Sequence, residues 1–180
     1  MNKKPELITH RLVLKSIEDK DQASMIKMLN DPKIKKTYML PDLESKEQEN
    51  NFFDKLKDLT TTKEHIVYGI YHADRLIGFI NDVCMTSDSV EVGYFIDSDE
   101  WNKGYATEAL WAYMKQVFEM GFFTLEAAYF EGNDASRKVM EKCCLHPSGK
   151  QEIINYRGQD LVAIYYQINK RQFLPLYEEK

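Results

Sequence analysis

The spacing of apolar side chains divides this chain into elements. Between Thr9 and Lys15, His10, Leu12 and Leu14 alternate with Arg11, Val13 and Lys15, a period of two that predicts a short strand at a sheet edge. A helix follows from Asp21, where Met25, Ile26, Met28 and Leu29 form an apolar stripe. Asn30-Asp31-Pro32 ends it, because proline bars its predecessor from helical geometry. Ser45 and Gln48 stand at capping-box spacing and open a second helix, with Phe52, Phe53, Leu56 and Leu59 on one face. Residues 33–44 between these helices show no periodicity and read as loop.

From residue 66 the period changes. Strands are predicted over residues 66–71, 76–84 and 90–96, separated by His72-Ala73-Asp74-Arg75 and Thr86-Ser87-Asp88-Ser89, the pattern of an antiparallel meander. Over residues 104–120, Ala106, Ala109, Leu110, Tyr113, Met114 and Val117 recur at helical spacing, and Gly121 provides a stop. A strand over 123–129, a helix over 134–144 and strands near 150–155 and 161–168 complete the chain, the last two joined by Tyr156-Arg157-Gly158-Gln159-Asp160. No repeat, low-complexity stretch or linker interrupts this order. It predicts a mixed α/β sheet with helices on both faces, and leaves residues 171–180 without an assignment.

Composition narrows the classes. A length of 180 residues suits one domain, and 43% hydrophobic with 29% charged residues exclude disordered and fibrous classes. The formal charge of −5 argues against a nucleic-acid binder and mildly favours cationic partners. Cys84, Cys143 and Cys144 make no disulfide framework. Neither an apolar signal segment nor a run approaching the ~20 residues of a membrane helix is found. The expectation is a cytoplasmic, soluble protein without membrane attachment.

The chemistry concentrates at Trp101-Asn102-Lys103-Gly104-Tyr105-Ala106-Thr107-Glu108-Ala109-Leu110, between a strand and an amphipathic helix. The first N–H groups of a helix lack intrahelical acceptors, and its macrodipole places about half a positive charge there, so such a junction binds anions. Gly104 permits close approach or an unusual φ, and a pyrophosphate fits the site. Neither G-x-x-x-x-G-K-S/T nor G-x-G-x-x-G occurs, which sets aside the usual nucleoside triphosphate and dinucleotide loops. Taken by itself, one glycine before a helix is an ordinary strand-to-helix turn.

The surrounding residues add a resemblance. Residues 101–106 resemble the R/Q-x-x-G-x-G/A loop of the GNAT acetyltransferase superfamily, and residues 101–109 its W-G-K-G-Y-A-T-E-A form in the RimJ/RimL branch, whose members acetylate ribosomal protein N-termini. Thr9-His10-Arg11-Leu12-Val13-Leu14 is similar to that branch's T-x-R-L-x-L opening, and Glu91-Val92-Gly93-Tyr94 to its E-I/V-G-Y strand. Asn133-Asp134-Ala135-Ser136 with Val139-Met140-Glu141-Lys142 resembles N-x-x-S-x-x-V/L-x-x-K. The matches run in order over about residues 9–145. Three positions depart from the pattern: Trp101 replaces Arg or Gln, Met140 stands where many members carry a tyrosine acid, and Cys143-Cys144-Leu145 lacks the usual glycine, so the left-handed C-cap is expected to be missing.

The resemblance implies one GNAT domain over residues 1–180, with a mostly antiparallel sheet of about seven strands splayed between the fourth and fifth. It implies acetyl-CoA as cosubstrate and no metal. The backbone of Asn102, Lys103, Gly104, Tyr105, Ala106 and Thr107 would take the pyrophosphate, Phe95 and Ile96 would pair with pantetheine, and Asn133 would bond its amides. Arg137 and Lys138 would meet the remaining phosphate, and a solvated helix face fits them equally. An ammonium acceptor must lose a proton before attack. The resemblance gives Glu91 as general base, through water, against a plain solvent-facing position, and Ser136 as acid for the thiolate, against a first-turn cap.

Other residues point less clearly to function. His10, His65, His72 and His146 show no metal-ligand spacing, and Cys143 and Cys144 read as core or subsurface packing. Tyr38, Phe52, Phe53, Trp111 and Phe130 either wall an acceptor pocket or belong to the core, and Asp97, Asp99 and Glu100 either attract a cationic acceptor or form a solvated turn. The expected function is direct acetyl transfer to a primary amine by a monomer or homodimer, with a protein N-terminal α-amine as the acceptor that the resemblance implies. The alternatives are a small cationic amine acceptor, such as a polyamine or aminoglycoside, and an inactive acetyl-CoA-binding regulatory module.

Overall fold

Of the strand expected at residues 9–15, residues 12–15 form it, residues 9–11 are a turn, and a further short strand precedes them. In the computed structural model, which describes residues 4–178, β1 (Leu7–Ile8) turns back onto β2 (Leu12–Lys15), with Leu7 opposite Leu14 and Ile8 opposite Val13. Thr9 makes the turn: its N–H donates to the Leu12 carbonyl at 2.9 Å and its Oγ1 accepts from the Leu12 N–H at 2.9 Å. This adds a strand to the seven expected.

Helix α1 (Gln22–Leu29) ends where proline was expected to stop it. The same residues then start another helix, α2 (Pro32–Lys35), inside the segment expected to be loop. Asp31 Oδ1 accepts from the Lys33 N–H at 2.8 Å, and Pro32 takes a first-turn position that needs no donor. In α3 (Lys46–Thr61) Ser45 is the cap, accepting from the Gln48 N–H at 3.2 Å. The return bond is displaced by one residue, because Gln48 Oε1 accepts from the Glu44 N–H rather than from that of Ser45.

The meander follows as β3 (Tyr68–His72), β4 (Arg75–Met85) and β5 (Ser89–Ile96). After α4 (Tyr105–Glu119) come β6 (Thr124–Phe130), α5 (Asp134–Lys142), β7 (His146–Tyr156), β8 (Gln159–Asn169) and α6 (Lys170–Glu178). The eight described strands are ordered β1-β2-β3-β4-β5-β6-β8-β7. The sheet is mostly antiparallel, with one parallel pair in which Ser89, Val90, Glu91 and Val92 oppose Thr124, Leu125, Glu126 and Ala127. That register takes up half of β5.

Two compact units emerge from the contacts. One comprises residues up to Asn81 with Tyr94–Ala112, the other Asp82–Gly93 with residues from Tyr113 onward. In the first, Met25, Leu29, Ile34, Phe53, Phe79 and Phe95 form a buried cluster, with Tyr38 and Phe52 packed against it. Of the aromatics named from the sequence, Phe53 thus lies in the core, with Tyr38 and Phe52 at its margin. A buried Asp21 is satisfied by the Tyr71 hydroxyl, which donates to its Oδ2 at 2.6 Å, and burial pushes the Tyr71 pKa well up.

In the second unit the β7–β8 hairpin closes through two residues, Arg157 at φ 55° and Gly158 at φ 73°, with Tyr156 opposite Gln159. Two successive left-handed residues match the twist of the flanking strands. The tail left without an assignment forms α6, whose Phe173 is buried with its ring 5.1 Å from that of Phe118.

The C-terminus of α5 corrects a sequence expectation. Cys144 adopts φ 61°, its N–H donates to the Glu141 carbonyl at 2.9 Å, and the Leu145 N–H donates to the Met140 carbonyl at 3.0 Å. This is a complete Schellman cap made without glycine. Cys143 is buried in this turn, whereas Cys144 is exposed and does not pack as expected. A Cβ in the left-handed region costs about 1 kcal/mol, part of which glycine returns as unfolded-state entropy. Cys144→Gly should therefore stabilise the protein by about 0.5 kcal/mol, raising the unfolding midpoint by ~1–2 °C in a thermal melt. A lower midpoint would contradict the cap.

Candidate cofactor and catalytic site

The loop between β5 and α4 is held by side chains. The Asp97 N–H donates to the Ile77 carbonyl at 2.8 Å, a 3-10 turn spans Ser98–Glu100, and the chain then passes through Asn102 at φ 62° and Gly104 at φ 81° before α4 begins. The Trp101 indole N–H donates to the Ile96 carbonyl at 2.8 Å. Trp101 thus anchors the loop at the position where the family signature usually carries Arg or Gln.

Acidic residues ahead of the loop are internal anchors. Asp97 is buried and accepts from Lys27 Nζ at 3.0 Å, and Lys27 also reaches Asp99 at 2.6 Å. Glu100 is buried too, bonded to Arg75 and to Lys103 Nζ at 2.7 Å, and the Lys103 ammonium holds its carboxyl below the usual range. Neither solvation of the turn nor attraction of a cationic acceptor describes these two carboxylates, because each is already paired with a cation of the chain.

The first rung of α4 is the bond from the Glu108 N–H to the Gly104 carbonyl at 3.1 Å, so the N–H groups of Tyr105 and Ala106 precede the helical ladder. Glu108 itself reaches backwards. Its Oε1 accepts from the Thr9 hydroxyl at 2.6 Å and the Arg11 N–H at 2.8 Å, and its Oε2 from Arg11 Nε at 2.7 Å. Burial alone would push this carboxyl up, and the bonds from Thr9 and Arg11 outweigh burial to hold it below the usual range. Arg11 also donates from Nη1 to the Lys103 carbonyl at 2.9 Å. Sequence reading placed Thr9, Arg11 and Glu108 in two separate matching strings and did not pair them; complementary charge at the two strings was the available signal.

On β5 the Phe95 carbonyl lies against β4, so close that a Cβ on Gly78 would stand 2.5 Å from it. With the Asp97 N–H also directed to β4, strand alternation turns the Ile96 backbone to the opposite edge. Of the two residues expected to meet pantetheine, Ile96 therefore lies on the outward edge and Phe95 on the inward one.

In the second unit Glu91 is half-buried between the buried Val90 and Val92 and points to the other face of β5. Burial is the main reason its carboxyl lies above the usual range, Lys150 opposes the rise, and the Glu126 and Glu152 carboxylates add to it. Glu126 is its register partner on β6. From the hairpin, Glu152 accepts from the Tyr165 hydroxyl at 2.7 Å and pairs with Lys150 at 3.1 Å, whose Nζ lies 3.8 Å above the Tyr165 ring. Glu126, Lys150, Glu152 and Tyr165 were missed by sequence reading. Alternation assigns each a face on its own strand, and only the pairing order β5-β6-β8-β7 brings them to Glu91.

Asn133 caps α5, its Oδ1 accepting from the Ser136 N–H at 3.2 Å, which leaves its NH2 outside the cap. Ser136 occupies the third helical position, so the capping role weighed for it belongs to Asn133. Arg137 donates to Asp134 at 3.1 Å and Glu141 at 2.8 Å, whereas Lys138 is exposed on the next position. Met140 is buried.

Among the described residues no cluster of three or more His, Cys, Asp or Glu could hold a metal ion, and no helix is long and apolar enough to cross a membrane. Residues 11–145 match the family model described as acetyltransferase (GNAT) domain. The chain is 28% identical over 150 residues to the uncharacterized N-acetyltransferase YoaA of Bacillus subtilis, covering 81% of this chain and 85% of that protein. A GNAT-family acetyltransferase from Bacillus anthracis has a similar fold, with a TM-score of 0.80 at 23% identity over 93% of this chain and 99% of that one. So does RimL, a ribosomal L7/L12 alpha-N-protein acetyltransferase solved with coenzyme A, with a TM-score of 0.78 at 13% identity over 92% of this chain and 98% of that one. With the family model covering the strands and helices that build the loop, the chain belongs to the GNAT acetyltransferase family.

Proposed function

We propose that this acetyltransferase acts in the cytoplasm and moves acetyl from acetyl-CoA directly to the α-amine of a protein N-terminus. The observation that carries the cosubstrate reading is the loop at α4, where left-handed Asn102 and Gly104 flank Lys103 and the Tyr105 and Ala106 amides precede the first helical rung. Such amides, with the dipole behind them, suit a diphosphate. With the Ile96 carbonyl taken by the Trp101 indole, the outward Ile96 N–H is the group that fits pairing with pantetheine, and the Asn133 NH2 fits a pantetheine carbonyl. The Arg137 fork is committed to Asp134 and Glu141, so the exposed Lys138 is the stronger candidate for the remaining phosphate.

In the transfer step the neutral amine attacks the thioester carbonyl, forming C–N and breaking C–S. Glu91 takes the amine proton through water and returns it to solvent, and the Ser136 hydroxyl passes a proton to the thiolate as it takes one from water. A carboxyl held above its usual range by burial is a better proton acceptor than a solvated one, which supports Glu91 in this role. The protein N-terminus as acceptor is favoured by the fold shared with an alpha-N-protein acetyltransferase.

Thiol release from acetyl-CoA, followed with a panel of free-N-terminus peptides and polyamines, tests the reading. Release is expected with the peptides. Release with polyamines alone would move the acceptor to small cations, and tight acetyl-CoA binding without release for any amine would make the chain a regulatory module.

Gly104→Leu forces a branched side chain into φ 81° beside Arg11 and should weaken acetyl-CoA binding by more than about tenfold. Unchanged affinity in a binding titration would remove the diphosphate loop from the mechanism. Glu91→Gln should lower kcat by about 10²-fold and abolish the acidic limb of the pH–rate profile, which in the unsubstituted enzyme lies above the ordinary carboxylate range. An unaltered profile would exclude Glu91 as base. The same substitution carries a stability signature. Glu91 binds its proton more tightly folded than unfolded, so the folded state loses stability as pH rises through its raised pKa. Glu91→Gln should therefore melt higher than the parent at neutral pH, with the gap closing on acidification.

A further inference from the structure

We propose that Arg11 is a positioning residue for the diphosphate loop, acting by fixing the direction of the Gly104 amide; the inference rests on the acetyl-CoA reading above. A trans peptide directs its carbonyl and the following N–H to opposite sides. Arg11 Nη1 donates to the Lys103 carbonyl at 2.9 Å, so the Gly104 N–H of that same peptide points away from Arg11. Without a hold on that carbonyl the peptide is the least constrained in the loop, because glycine accepts positive and negative φ alike and Gly104 has no side chain to resist a flip. Arg11 restricts it to one orientation at the site where the diphosphate would bind.

The guanidinium is itself immobilised. Nε donates to Glu108 Oε2 at 2.7 Å, the Arg11 backbone N–H and the Thr9 hydroxyl fill Glu108 Oε1, and the guanidinium lies 4.7 Å from the Tyr105 ring. Two acceptors, a carboxylate and a carbonyl, are engaged by different edges of one planar fork. A lysine has the charge but cannot present two fixed donors in that geometry. The β1–β2 turn, which touches no part of the expected ligand in this reading, thereby determines how an amide at the opening of α4 is aimed.

A plain structural staple between Arg11 and α4 predicts a different result, and a pair of ligands separates the two. Acetyl-CoA carries the diphosphate, and S-acetylpantetheine lacks it while keeping the thioester and its amides. The unsubstituted protein should prefer acetyl-CoA, and Arg11→Gln should reduce that preference by about tenfold while leaving the affinity for S-acetylpantetheine within about twofold. Arg11→Lys should lose the preference to a similar extent, and it carries the comparison if Arg11→Gln does not fold. Loss of affinity for both ligands alike would make Arg11 a staple and overturn the proposal, as would full preference in Arg11→Gln. Full preference in Arg11→Lys would show that charge alone suffices and overturn the fork. Absence of any preference in the unsubstituted protein would instead overturn the diphosphate reading itself.

Discussion

The start of α4 is held by side chains that arrive from elsewhere in the first unit, which is what the proposed reading of its first N–H groups as ligand donors requires. The hydrogen bonds that would ordinarily cap α4 are replaced by side-chain contacts arriving from elsewhere. Glu108 gathers three donors from the β1–β2 turn, Trp101 ties the loop to Ile96, and Glu100 is locked between Arg75 and Lys103. Each of these acceptors is charged or a backbone carbonyl, and hydrogen bonds to charged groups are the stronger kind. The loop is thus anchored through side chains, while the Tyr105 and Ala106 N–H groups precede the first rung of the helix.

The core beneath it explains why the loop can tolerate left-handed residues. Phe95, the last large apolar residue before the outward edge of β5, stacks on Phe79 with centroids 5.8 Å apart and meets Tyr38 edge-on at 5.2 Å. Gly78 lets β4 lie close enough for this packing, since any Cβ there would collide with the Phe95 backbone. Beyond that packed strand the chain turns through left-handed Asn102 and Gly104, of which only Asn102 carries a Cβ against that conformation.

Local pattern made most of the fold legible. Periodicity located the helices at Gln22–Leu29, Lys46–Thr61 and Tyr105–Glu119, and strand-length apolar runs between turn residues located the six strands from Tyr68 onward. What escaped was set by side-chain hydrogen bonds or by strain. Thr9 turns the start of an expected strand into a bend between two, Asp31 turns a stop into a start, and Cys144 accepts a conformation that residue preferences assign to glycine. The site divides in the same way. The string from Trp101 to Leu110 was readable because it is contiguous, whereas Arg11 with Glu108, and Glu91 with Glu126, Lys150 and Glu152, are separated in sequence and meet only through topology.

The hairpin turn at Arg157-Gly158 has a consequence for how this chain can vary. With two residues in the turn, the register of β7 on β8 is set from Tyr156 opposite Gln159 to Gln151 opposite Ile164, and side chains alternate faces over that stretch. Adding one residue at this surface bend would rotate Glu152 to the reverse side of the sheet and take from Glu91 one of the neighbours that tune its proton affinity. Insertions and deletions in exposed bends are ordinarily tolerated, but here the length of the bend is coupled to the acid–base behaviour of a residue on another strand, so lineages should preserve that length even where its side chains drift.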